Sequence, residues 1–203
     1  MIRHRACWYA VCFTLTCGIA LAGESTPENG ISDYFQSGRY DVTLSSGVMF
    51  SPIGADRNRP VENYVLNGLQ VGRMLSSAHG DRWFRGNWEA SVEAIGGAVF
   101  QGRGSYLAGA TLWGRYNFVQ PDWRVAPYLA AGAGAEATDM DQRLIGEKFN
   151  FNLNIGAGMR WFVSRQWAID LECRYQHISN ATIAKHDIGI NAVGPMVGVS
   201  YFF

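Results

Sequence analysis

The stretch EKFNFNLNIGAGMRWFV (Glu147–Val163) decides the fold. Phe149, Phe151, Leu153, Ile155, Ala157, Met159, Trp161 and Val163 have odd numbers, while Lys148, Asn150, Asn152, Asn154 and Arg160 have even ones. Successive side chains on a strand point to opposite faces, so the segment predicts one apolar face and one strongly polar face. Strands of soluble sandwiches usually run about five or six residues, and this alternation continues far longer. Long strands that are apolar outside and polar inside are the pattern of an outer-membrane barrel.

Working outward, the same period of two recurs to both ends of the chain. It marks eight segments, Tyr40–Phe50, Glu62–Leu75, Phe84–Phe100, Ser105–Val119, Trp123–Ala137, Glu147–Val163, Trp167–Asn180 and Ile188–Phe203. The second and fourth alternate poorly, which leaves their registers open. The links Gln120-Pro121-Asp122 and Ser164-Arg165-Gln166 are tight, and those near 51–61, 138–146 and 181–187 are longer. Short turns of such barrels face the periplasm and longer loops face outside, which a periplasmic N-terminus satisfies here. The expected fold is all-β, an eight-stranded antiparallel transmembrane β-barrel of the bacterial outer membrane over residues 39–203. Closure removes strand edges that lipid cannot satisfy. Eight strands leave an interior just wide enough for side chains, which argues against a pore. Arg85, Glu89, Glu93, Arg115, Asp170, Glu172 and Arg174 are therefore candidates for a paired polar interior. The ending Tyr201-Phe202-Phe203 resembles the terminal signature by which bacterial barrels are recognised for insertion.

Ahead of the barrel, MIRHR is basic, Ala6–Ala22 is uncharged, and Ala20-Leu21-Ala22 has the small residues of a cleavage site. These features predict a signal peptide over 1–22, followed by a flexible polar lead over 23–38. Beyond it no run of 18 uncharged apolar residues predicts a membrane helix. Of 17 basic and 17 acidic residues, Arg3 and Arg5 leave with the leader, and the remaining 15 against 17 give no argument for nucleic acid. Cys7, Cys12 and Cys17 leave as well, so Cys173 stays without an intramolecular disulfide partner. On an apolar strand face it reads as a small hydrophobe.

Most motifs that carry chemistry are excluded. Gly132-Ala133-Gly134-Ala135-Glu136-Ala137 matches a dinucleotide fingerprint, but the next strand follows too soon for the helix that the pyrophosphate needs. No G-x-S-x-G elbow and no His/Cys zinc spacing occurs. His79 falls in a periplasmic turn and His186 in an outer loop, and the sequon Asn180-Ala181-Thr182 reads as chance. No metal or cofactor is expected.

The seventh segment ends in RYQHISN (Arg174–Asn180). His177 and Ser179 continue the odd, lipid-facing parity of Trp167, Ile169, Leu171, Cys173 and Tyr175. A hairpin centred near residue 184 sets His177 opposite Asn191, whose parity also faces lipid. A Ser hydroxyl needs a base to become a nucleophile, and His suits that role near neutral pH. A neighbouring Asn180 could donate to an oxyanion. In the outer leaflet the matching bond is a lipid ester.

Through His177-Ile178-Ser179-Asn180-Ala181, Gly189-Ile190-Asn191 and the ending Gly198-Val199-Ser200-Tyr201-Phe202-Phe203, the chain resembles the PagL-type lipid A 3-O-deacylase family. The resemblance is specific in the C-terminal part and architectural upstream. It implies hydrolysis of the ester-linked acyl chain at the 3-position of lipid A, with His177 as base, Ser179 as nucleophile and Asn180 at the oxyanion. The family pattern has Glu where this chain has Asn191, and favours Gly where it has Thr182. An Asn carbonyl can hold an imidazole tautomer without supplying charge, as Cys-His-Asn triads do. Asp187, of the same parity, is an alternative acid. The implied partner is lipid A or lipopolysaccharide of the outer leaflet, and a homodimer is left open. A non-catalytic barrel that binds lipopolysaccharide or supports envelope integrity is the competing reading, and a soluble lipocalin-like binder is a more distant one.

Overall fold

The computed structural model describes residues 30–51, 53, 59–183 and 188–203. The expected leader over 1–22 and residues 23–29 of the lead that follows lie outside them. Eight strands form one closed barrel in sequence order, each antiparallel to the next: β1 (Tyr40–Met49), β2 (Asn63–Met74), β3 (Gly86–Gln101), β4 (Tyr106–Phe118), β5 (Val125–Thr138), β6 (Phe149–Phe162), β7 (Trp167–Ser179) and β8 (Ile190–Phe202). The strand that opened the sequence reading behaves as its parity predicts. Leu153 and Ile155 are exposed, while Asn150, Asn152, Asn154 and Arg160 are buried. Followed from Met159 through Leu171, Val197, Ser46, Asn67, Gly96, Ala108 and Ala137, the cross-strand row returns to β6 at Phe149 rather than at its start. That stagger tilts the strands against the barrel axis.

The two ambiguous strands now have registers, and their inward glycines explain the blurred pattern. Inward β2 positions include Gly68 and Gly72. A Cβ on Gly68 would lie 2.2 Å from Glu93 Oε1, and one on Gly72 would lie 2.2 Å from Asp41 Oδ1. The barrel keeps these places empty of side chain so that acids of β1 and β3 can reach inward. Outward Asn67 and Arg73 blur the other face.

The interior is filled in three layers. In the middle, Arg160 contacts Asp41 (3.0 Å), Glu89 (2.6 Å) and Asp170 (3.2 Å), and Arg115 pairs with Glu89 at 3.0 Å. Arg174 bridges Glu172 (2.7 Å) and Glu93 (3.0 Å), and Trp113 Nε1 donates to Glu93 at 2.8 Å. These ions are taken out of water, so each is tolerable only while its partners stay in place. Apolar plugs close both ends. One unites Met49, Leu66, Leu107, Met140, Leu144, Ile145 and Ile178, and the other unites Ile31, Phe35, Phe162 and Phe202.

Two expectations need correction. Arg85 is not in the polar interior. A 3₁₀ turn, Arg82–Phe84, with Arg82 at φ 53, interrupts the extended run, so β3 begins at Gly86 and Arg85 donates instead to the Val119 carbonyl at the barrel end. The lead is not loose throughout. Ile31–Phe35 forms a 3₁₀ turn whose Ile31 and Phe35 are buried against Phe162 and Phe202. The predicted outer loop at 138–146 contains a single helical turn, α1 (Gln142–Ile145), N-capped by Asp141. The fingerprint-like Gly132–Ala137 lies inside β5. A Cβ on Gly134 would lie 1.9 Å from the Ala110 carbonyl oxygen, so close strand approach explains that glycine.

Candidate active site

Strands β7 and β8 pair in the register that the hairpin predicts. His177 lies directly opposite Asn191, and Tyr175 opposite Val193. Tyr175, His177 and Ser179 occupy one outward face, each half-buried. Residues two apart on a strand stand roughly 6.8 Å from each other along the chain, so His177 and Ser179 are side-by-side neighbours. On the adjoining strand, Leu153 sits beside His177 and Phe151 beside Ser179. The polar pair thus emerges from an apolar outer wall at its upper end.

His177 Nδ1 lies 2.7 Å from Asn191 Oδ1. An amide oxygen only accepts, so the imidazole donates from Nδ1, and its Nε2 carries the lone pair. That is the tautomer a general base needs. The Tyr175 hydroxyl donates to the same Asn191 oxygen, also at 2.7 Å. Beneath the ring lies Gly189 at φ 77, where an added Cβ would stand 2.7 Å from His177 Cε1. Glycine is required here twice, by the backbone conformation and by the imidazole.

The site is held from inside the barrel mouth. The Leu144 carbonyl of α1 accepts from the Ile188 and Gly189 N–H groups at 2.8 and 2.9 Å. Asn180 Nδ2 donates to the Ile145 carbonyl at 2.6 Å, and Asn180 is buried. Arg59 Nη1, from the loop after β1, donates to the Ile188 and Gly189 carbonyls at 3.0 and 3.3 Å. Glu62, just before β2, accepts the Arg103 N–H with both oxygens, and burial pushes its carboxyl up to about 7. The Asp141 carboxyl is lowered by its hydrogen bonds to Arg143, which stabilise the charged form of the α1 cap.

Directly after Ser179 the chain turns back sharply. Ile183 N–H donates to the Asn180 carbonyl at 3.2 Å, and Ala181 and Thr182 between them have φ 55 and 63. A β-branched residue in that region is a genuine outlier, and such strain concentrates at functional sites.

The sequence model of one family, described as Lipid A 3-O-deacylase (PagL), matches residues 68–200. The chain belongs to this PagL family. The barrel is similar to the crystal structure of the outer membrane enzyme PagL, at 19% identity and TM-score 0.58 over 78% of this chain and 97% of that one. It is also similar to Neisserial surface protein A, at 15% identity and TM-score 0.55 over 82% and 98%. At these identities the likenesses speak for the fold of an outer-membrane barrel. A search of curated proteins finds no match.

For this PagL-family chain, His177, Ser179 and Asn191 gather on one outward patch. The Asn180 side chain is buried and bonded to α1, on the face opposite Ser179. Asp187 and His186 lie outside the described residues. His79 sits in the β2–β3 connection, with Nδ1 2.9 Å from the Ser77 carbonyl, far along the chain from this patch. Sequence reasoning missed Tyr175 and Gly189 as parts of the site. By its sequence Tyr175 is only one more odd-parity aromatic. Gly189, between a loop and a strand, carried the usual signal of a position needing positive φ.

Proposed function

We propose that this chain is an outer-membrane lipid A deacylase that hydrolyses an ester-linked acyl chain, at the 3-O position by family resemblance. One observation carries the reading. A His and a Ser lie side by side on the outward wall, and the His is held by Asn191 in the tautomer that leaves Nε2 able to take a proton.

His177 Nε2 accepts the Ser179 hydroxyl proton as Oγ attacks the ester carbonyl. The tetrahedral oxyanion collapses, the sugar oxygen leaves with the proton from His177, and an acyl-serine remains. Water, deprotonated by the same nitrogen, then releases the fatty acid and restores Ser179. With the Asn180 side chain tied to Ile145 and bracing the turn that carries Ser179, the backbone N–H groups of Asn180 and Ala181 are the donors proposed for the oxyanion. A site on the outward wall meets outer-leaflet lipid A without extracting it from the membrane.

Mass spectra of lipid A from cells producing the protein test this. Loss of one ester-linked acyl chain with wild type, and its retention with Ser179→Ala, is the expected result. Unchanged lipid A with wild type overturns it. That outcome favours the second reading, a non-catalytic barrel binding lipopolysaccharide, for which the uncharged Asn191 is the specific support.

A further inference from the structure

An asparagine in place of a triad acid raises a problem that a carboxylate does not have. The two oxygens of a carboxylate are equivalent, whereas the two ends of an amide have the same shape and opposite hydrogen-bonding sense. With Oδ1 toward His177, the imidazole donates from Nδ1 and Nε2 is a base. With Nδ2 toward it, Nδ1 must accept, Nε2 carries the hydrogen, and the base is lost. The backbone cannot choose between these states, because the two amide rotamers fill the same space.

We propose that Tyr175 is a positioning residue that sets the orientation of Asn191 and, through it, the reactive tautomer of His177. The inference rests on the deacylase reading of the site. Tyr175 stands two residues before His177 on the same face of β7, and its hydroxyl reaches Asn191 Oδ1 at 2.7 Å. His177 Nδ1 reaches the same atom at 2.7 Å. Two donors from one strand thus converge on a single acceptor of the next. Turning the amide over would make His177 Nδ1 and the phenol oxygen acceptors of its N–H groups, and the phenol O–H would lose the Asn191 oxygen to which it now donates. In the half-buried wall each hydrogen bond lost is felt more than in water. A phenol is suited to this task because it keeps its proton up to about pH 10 and donates throughout the range in which His works as a base. Its ring meanwhile remains part of the apolar outer surface, as interfacial tyrosines do.

Three variants in the full-length barrel, purified in detergent, test the proposal: Tyr175→Phe, Asn191→Asp and the double variant. Heat-modifiable migration on gels reports that each is folded. The ¹⁵N shifts of histidine, with His177→Gln to assign the signal, report which ring nitrogen carries the hydrogen. In wild type, His177 is protonated chiefly at Nδ1. In Tyr175→Phe the tautomer ratio moves toward Nε2 by about fivefold, the weight of one ordinary hydrogen bond, and kcat falls while KM holds. In the Asn191→Asp background, where either oxygen serves, the same Phe substitution leaves the tautomer ratio unchanged. An equal tautomer shift in both backgrounds, or an unshifted tautomer ratio in Tyr175→Phe, overturns the proposal. A barrel that shows the tautomer shift yet releases no fatty acid supports the orienting role and refutes the deacylase reading.

Discussion

Under the proposed mechanism, Asn191→Asp adds the charge that Asn lacks to a site already built around an oxygen. Asp has the shape of Asn, so its oxygen keeps the 2.7 Å contacts to His177 Nδ1 and the Tyr175 hydroxyl. Glu, with one methylene more, would have to fold back, because those contacts leave no slack. Neutral hydrogen bonds contribute about 0.5–1.5 kcal/mol and those to charged groups about 1.5–3 kcal/mol. The difference, about 1–1.5 kcal/mol, is the least that an imidazolium forming in the transition state should gain. Two unit charges about 4 Å apart at an effective dielectric of about 20 attract by about 4 kcal/mol, which sets the upper end. At about 1.4 kcal/mol per decade, kcat should rise between about tenfold and a thousandfold. Desolvation of the new carboxylate in the barrel wall pulls the figure toward the lower end. Fatty-acid release from lipid A in mixed micelles at saturating substrate measures it. A kcat equal to or below that of wild type would refute the reasoning that the Asn191 carbonyl does the work of the acid.

Thr182→Gly relieves the left-handed strain after Ser179 and should stabilise the barrel by about 1 kcal/mol, read as a raised urea midpoint with an unchanged slope. Arg160→Met leaves Asp41, Glu89 and Asp170 without their shared cation and should destabilise by about 3–5 kcal/mol; a variant as resistant to unfolding as wild type would show that the network is not integral. The Glu62 carboxyl, raised by burial to about 7 from its ordinary 4.5, favours the folded state in its protonated form. That stability is present below the unfolded value and is lost as pH rises through about 7. The melting temperature of wild type should therefore fall between about pH 5 and 8, and that of Glu62→Gln should stay level.

What was legible in the sequence is what lipid enforces along a whole strand. Phe149 to Trp161 must alternate with Asn150 to Arg160, because one face meets hydrocarbon and the other a packed interior, and the same constraint fixed the parity of His177, Ser179 and Asn191. Hairpin spacing alone pairs His177 with Asn191, as the register of β7 and β8 does. What escaped were events of single residues. Arg82 adopts φ 53 and takes Arg85 out of the interior. Ile31 and Phe35, in an otherwise polar lead, find a plug at the barrel end. Tyr175 has the composition of an interfacial belt residue, and only the direction of its hydroxyl gives it another role. Periodicity averages over many positions and cannot report any of these.

The same distinction explains why the site is braced from the interior. Hydrocarbon has no hydrogen bonds to offer, so nothing outside the barrel can orient His177 or the turn after Ser179. The directional contacts must come from neighbours on the wall or from the mouth behind it. The wall supplies Asn191 and Tyr175. The mouth supplies α1, whose last carbonyls are the acceptors left open at any helix C-terminus. At Leu144 and Ile145 those acceptors take the N–H groups of Ile188 and Gly189 and the side chain of Asn180. One helical turn therefore ties down both ends of the β7–β8 connection, one beside the His177 imidazole and one beside Ser179. This also accounts for the burial of the Asn180 side chain. Its place next to Ser179 is the place where a buried donor is most needed to hold the turn.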